Sequence, residues 1–277
     1  MSAHPLPRID VTTWIGGYPF REVPHPEPAV LAERVLAREG FTGAWTGHLP
    51  GAFHRDPSAS NSVLLKALEP HRATLSPAPI VRPDWPRWQR TLESAIAEGA
   101  SSVRVYPAQW ALGAGYPGLA ELAIACGERG VVLHVTVRFE DLRQRHPLDS
   151  AGDVSAASLR AIARLPGSRC HLVVAGAGRE LIEETHWGLT PEEQARVWYD
   201  FGWTWGPPED AFSHLVRTLG PERLAWGTFW PLRLVQQSRA LVELLPENLR
   251  EIAPDTAFAD GASIAASAKS AAGSATN

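Results

Sequence analysis

Short apolar runs alternate with helix-patterned stretches along almost the whole of this chain, which is the rhythm of parallel strands joined by crossover helices. Eight runs qualify as strands: 9–14, 43–48, 74–81, 102–106, 131–135, 170–175, 197–200 and 224–227. Most are continuous in Val, Leu, Ile and aromatics and do not alternate with polar residues, as expected where both faces of a parallel sheet are covered. Between them Leu119, Leu122, Ala123 and Cys126, and again Leu159, Ile162 and Ala163, recur at helical spacing and give each segment one apolar stripe. Eight such units in 277 residues, 44% of them hydrophobic, predict an α/β fold of one domain, a single (β/α)8 TIM barrel.

Local signals fix several helix starts. Thr190-Pro191-Glu192-Glu193 supplies an N-cap, a first-turn proline and acidic residues favoured by the helix dipole. Pro246-Glu247-Asn248 opens a later helix similarly, and Asp56 or Ser58 is placed to cap the helix carrying Leu64, Leu65 and Leu68. The barrel is thus expected over residues 9–258, behind an N-terminal extension of residues 1–8. Beyond Phe258 the composition collapses to Ala, Ser and Gly. With little to bury against the entropy of ordering, residues 259–277 are expected to form a disordered tail.

The formal charge of −4 comes from 26 basic and 30 acidic residues without long blocks of either sign, so no footprint for nucleic acid or an anionic membrane is present. No apolar run is long enough to span a bilayer, and a cytoplasmic protein is expected. The two cysteines, Cys126 and Cys170, lack CxxC spacing and read as buried thiols. The expected partner is a small-molecule ligand, with a second copy of the chain or an active paralogue as further candidates.

In a βα barrel, chemistry gathers at the C-terminal ends of the strands. His134, at one such end, suits general-base or hydrogen-bonding work near neutral pH, or is a pocket histidine satisfied by its neighbours. Arg104 and Tyr106, two residues apart, share a strand face and suit an anionic oxygen; an internal ion pair of Arg104 with Asp200 or Asp10 is the alternative. Asp200 is an acid or base if desolvated, or orients Arg104. These four are the candidate catalytic residues. Of eleven tryptophans, Trp14, Trp45, Trp110, Trp203, Trp205 and Trp230 fall at or just past strand ends. They predict an aromatic mouth that stacks a ligand or docks a partner, unless they only fill space. Thr12, Trp14, His48, Trp203, Phe229 and Trp230 are the candidate ligand-binding residues.

Several segments resemble the amidohydrolase-related family. Asp10-Val11-Thr12-Thr13-Trp14 is similar to its opening strand, which reads Asp-x-His-x-His, with Thr12 and Trp14 at the histidine positions. Glu98 to Pro107 is similar to its fourth strand segment, and Gly130-Val131-Val132-Leu133-His134 to the fifth, which ends on a ligand histidine kept here as His134. His171 to Gly178 matches the sixth with Gly176 at a histidine position, and Glu222 to Pro231 the eighth with Phe229 in place of the catalytic aspartate. The resemblance implies the barrel fold and a metal-dependent hydrolytic ancestry. It also implies that the metal site is lost, since Thr12, Trp14, Gly176 and Phe229 have replaced its donors and a catalytic zinc needs about three protein ligands. No metal or other cofactor is therefore expected, a relocated set of His48, His54, Asp200 and His134 being an alternative that nothing in the spacing demands. Two functions follow: a non-catalytic or regulatory small-molecule-binding protein, which is favoured, and a metal-independent enzyme of hydrolase or lyase type acting on a small carbonyl, acid or lactone. In the second, His134 is the base and Arg104 or Tyr106 stabilises negative charge.

Overall fold

The computed structural model describes residues 8–274 apart from 25, 114, 166 and 167. All eight expected strands are present: β1 (Ile9–Ile15), β2 (Gly43–His48), β3 (Leu75–Pro77), β4 (Ser102–Val105), β5 (Val132–Thr136), β6 (Leu172–Ala175), β7 (Val197–Asp200) and β8 (Leu224–Ala225). Every pairing is parallel and follows sequence order, β1 to β3 in one ladder and β4 to β8 in another. Two seams separate the ladders, and backbone hydrogen bonds cross both. Arg104 N–H donates to the Pro79 carbonyl (2.8 Å) and Val81 N–H to the Arg104 carbonyl (3.1 Å). On the other side Val11 N–H donates to Trp226 O (2.9 Å), Phe229 N–H to Thr12 O (2.9 Å) and Trp14 N–H to Trp230 O (2.8 Å). The third strand is shorter than its expected span because Pro77 and Pro79 have no N–H to give to a ladder.

The expected helix caps form. Asp56 accepts the Ser58 N–H at 2.8 Å ahead of the helix Pro57–Leu68. Thr190 and Glu193 exchange side-chain and backbone bonds in a capping box on Pro191–Gln194, and Pro246 precedes the helix Glu247–Ile252. Cys126 and Cys170 are free and buried, as expected. No helix among the described residues is long and apolar enough to cross a membrane.

One expectation is corrected: the supposed disordered tail contains the helix Gly261–Gly273. Asp260 caps it, accepting the Ser263 N–H at 2.9 Å, and its other carboxylate oxygen accepts the Ile9 N–H of β1 at 3.0 Å. Ser267 meets His171 at 3.0 Å. Ile264, Ala265 and Ala268 pack with Val11, Trp45, Ala78, Val132, Val173, Trp198 and Ala225, which come from almost every strand of the ring. The helix therefore stops the N-terminal end of the barrel. Its small residues, which read as too little to bury, are what let its backbone lie close against the strand ends, and alanine has the highest helix propensity. Trp45 belongs to this lower layer and not to the mouth.

Candidate functional site

Above that layer the barrel interior is polar and closed. Thr12, Arg104, His134 and Asp200 have no solvent exposure, and neither has Asp10. Thr12 Oγ1 lies 3.0 Å from His134 Nε2, while His134 Nδ1 has no hydrogen-bond partner among the described residues. Arg104 Nη2 donates to the carbonyls of Trp45 (2.9 Å) and Val11 (3.3 Å), and its guanidinium stacks 4.7 Å from the Trp14 ring. Gly47 makes this fit, because a Cβ there would stand about 3 Å from both Trp14 and Arg104. Arg104 makes no direct ion pair with Asp10 or Asp200 among the described residues, and its Nε and Nη1 have no hydrogen-bond partner among them. Burial draws its pKa down, outweighing the support of the neighbouring Tyr106 and, at longer range, of Asp10 and Asp200. Burial, reinforced by Arg104, also holds His134 neutral well below the ordinary imidazole range.

The two carboxylates respond in the opposite direction. Desolvation pushes Asp10 up to about 7, although Thr228 and the Thr12 N–H hydrogen-bond to it, and pushes Asp200 up to about 6 against the bond from Gly202 N–H. A carboxyl whose folded pKa exceeds its unfolded value binds more protons in the native state, so its contribution to stability declines as pH rises from about 4 through the folded value. Asn mimics the protonated Asp200, so urea unfolding of Asp200→Asn and the unaltered chain between pH 5 and 8 should show the variant gaining about 1 kcal/mol relative to wild type. Parallel pH curves would show that Asp200 is ionised in the native state throughout.

Over this polar group lies an aromatic layer. Trp14 packs edge-on against Phe229 (4.8 Å) and Phe139 (5.8 Å), and Tyr106 lies 5.3 Å from Phe139. The Trp14 indole N–H donates to the Tyr106 hydroxyl at 3.0 Å. All four rings are at most 2% exposed. Phe229 has a left-handed backbone, φ 62°. Gly176 is its complement: a Cβ there would approach the Phe229 ring to 3.1 Å and the Arg138 carbonyl to 2.8 Å. The ring therefore occupies space that any side chain at 176 would need.

The open space is elsewhere. A cavity of about 560 Å³ lies among the loops after β1 to β5, walled by Phe20, Phe53, Arg82, Gln109, Trp110 and Asp149. Of the predicted residues, Thr12, Trp14, His134, Arg104, Tyr106, Asp200 and Phe229 come together beneath it, and none lines it. His48 is bound through Nδ1 to Ser60 at 2.6 Å. Trp203 stacks under Arg233 at 4.0 Å beside a second cavity of about 350 Å³, and Trp230 borders a third of about 320 Å³. Phe20, Gln109 and Asp149 escaped sequence reasoning because they sit in loops without a motif. The one available signal was the length of the segment between β5 and the helix Ala156–Ala163, which is long for a βα connection.

No family profile matches the chain, and no curated protein matches it in sequence. Solved structures do match. The 5-carboxyvanillate decarboxylase of Sphingomonas paucimobilis superposes with a TM-score of 0.64 at 14% identity, over 91% of this chain and 98% of that one. An amidohydrolase II protein gives 0.61 at 15% identity, over 94% and 99%. The fold is that of the amidohydrolase-related TIM barrels. A 2,6-dihydroxybenzoate decarboxylase from Rhizobium, another such barrel, gives 0.58 at 10% identity over 91% and 97%. At these identities the likeness establishes fold alone.

The metal that the family resemblance implies does not fit this interior. Among the described residues no group of three or more His, Cys, Asp and Glu side chains is arranged to hold an ion. The side-chain hydrogen-bond partner of His134 among the described residues is the neutral hydroxyl of Thr12. His48 is hydrogen-bonded through Nδ1 to Ser60, and among the described residues no such group includes it.

Proposed function

We propose that this chain is a non-catalytic amidohydrolase-type barrel that binds a small molecule in the cavity above its sealed interior. The observation that carries this reading is that His134 has no solvent exposure and does not line that cavity, while Trp14, Tyr106, Phe139 and Phe229 pack together in the buried interior. A general base must reach within about 3 Å of the proton it removes, and the Nε2 of His134 already faces Thr12. Tyr106 is likewise engaged by Trp14, and Arg104 lies beneath the same rings. The neighbours with decarboxylase names act on aromatic acids, a chemistry that needs a reactive centre open to substrate.

Metal analysis of chain purified without chelators, combined with a panel of esters, lactones, amides and hydroxybenzoates, tests the reading. Substoichiometric zinc, manganese and iron and no turnover are expected. Stoichiometric metal, or turnover abolished by His134→Ala, would overturn it.

A further inference from the structure

We infer that the cavity over the loops after β1 to β5 takes an organic ammonium ion, a protonated amine on an aromatic or apolar body. This rests on the binding role proposed above and names its ligand class.

The charges in the cavity wall set the class of ligand it takes. Arg82 is committed: its Nε and Nη2 donate to both oxygens of Asp84 at 2.8 and 2.9 Å, its Nη1 to the His54 carbonyl at 3.2 Å, and it stacks 5.1 Å from Trp110. Asp153 is committed too, paired with Arg138 at 3.1 Å and Arg145 at 2.5 Å. Asp149 is the exception. It is 7% exposed, and its Oδ1 accepts only neutral donors, the Gln109 amide at 3.4 Å and the Ala151 N–H at 3.3 Å. Its Oδ2 has no hydrogen bond, and the residue no ion pair, among the described residues.

A largely buried carboxylate facing a cavity without a counter-cation is costly unless a cation arrives with the ligand. Phe20, Phe53 and Trp110 supply the rest of the recognition, since aromatic faces attract cations and bury apolar bodies. An N–H of the ammonium would reach Oδ2, with the body between the rings. An anion would find Arg82 occupied and Asp149 repelling it.

Binding of benzylamine, benzyl alcohol and benzoate to the full chain, followed by calorimetry and Trp fluorescence, tests this with three probes of one shape. Benzylamine should bind about tenfold or more tightly than benzyl alcohol, with benzoate weakest. Asp149→Asn should erase the difference between amine and alcohol. The ranking in the unaltered chain needs no variant to fold. Benzoate binding as well as benzylamine, a preference for amine that survives Asp149→Asn, or no benzylamine binding would each overturn the assignment. Benzoate binding without turnover would leave the non-catalytic binding role standing, whereas turnover would remove that role whatever the ranking.

Discussion

Replacing Phe229 with alanine is expected to cost about 3–5 kcal/mol of unfolding free energy, the loss typical of deleting a fully buried aromatic ring. The ring is the centre of the interior aromatic layer, touching Trp14 at 4.8 Å and Trp203 at 5.7 Å, with Gly176 leaving room for it. Because residue 229 is left-handed at φ 62°, where Cβ crowds the backbone, Phe229→Gly should be less destabilising than Phe229→Ala by about 1 kcal/mol. Urea unfolding of the two variants measures both effects. A loss below about 1 kcal/mol for the alanine variant would mean that the ring is not packed as described. The same variant separates space from chemistry. Emptying the ring's volume supplies no donor, so Phe229→Ala should bind zinc no better than the unaltered chain.

The strand order, strand positions and helix caps were legible because each rests on local chemistry: runs of Val, Leu and Ile, and capping residues such as Asp56 and Thr190. Of the candidate site, the residue types Thr12, Trp14, Gly176 and Phe229 at the positions where the family resemblance expects donors were legible as well. How they pack was not. Nothing along the chain indicates that Phe229 fills the volume beside Gly176, or that Gly47 admits Arg104 beneath Trp14, since these are matches between distant positions. The tryptophans were visible but not their layers, so Trp45 was assigned to the mouth when it packs against the C-terminal helix. The mouth cavity was hidden for a related reason. Its most distinctive group, Asp149, stands out only because the other charged groups of the wall are paired, Arg82 with Asp84 and Asp153 with Arg138 and Arg145.

Ending the chain after Asp260 is expected to be the most damaging single truncation of the described C-terminal segment. Composition argued for a tail without consequence. The helix Gly261–Gly273 instead buries Ile264 completely and Ala268 almost so, against six residues from the strands and Ala78. Removing it exposes Trp45, Trp198 and four smaller apolar side chains of β1, β5, β6 and β8 to water at the base of the ring. At roughly 25 cal/mol per Å² of apolar surface, a newly wetted area of about 200 Å² costs about 5 kcal/mol, comparable to the whole stability of many domains. The truncated chain should therefore show a lowered unfolding midpoint and bind a hydrophobic dye at its base. Ile264→Ala in the full chain should reproduce part of the loss, about 2–4 kcal/mol. A truncated protein as stable as the parent would mean that the helix does not close the barrel. It would leave the interior above, with its neutral His134 and the carboxyls of Asp10 and Asp200, in contact with water from below.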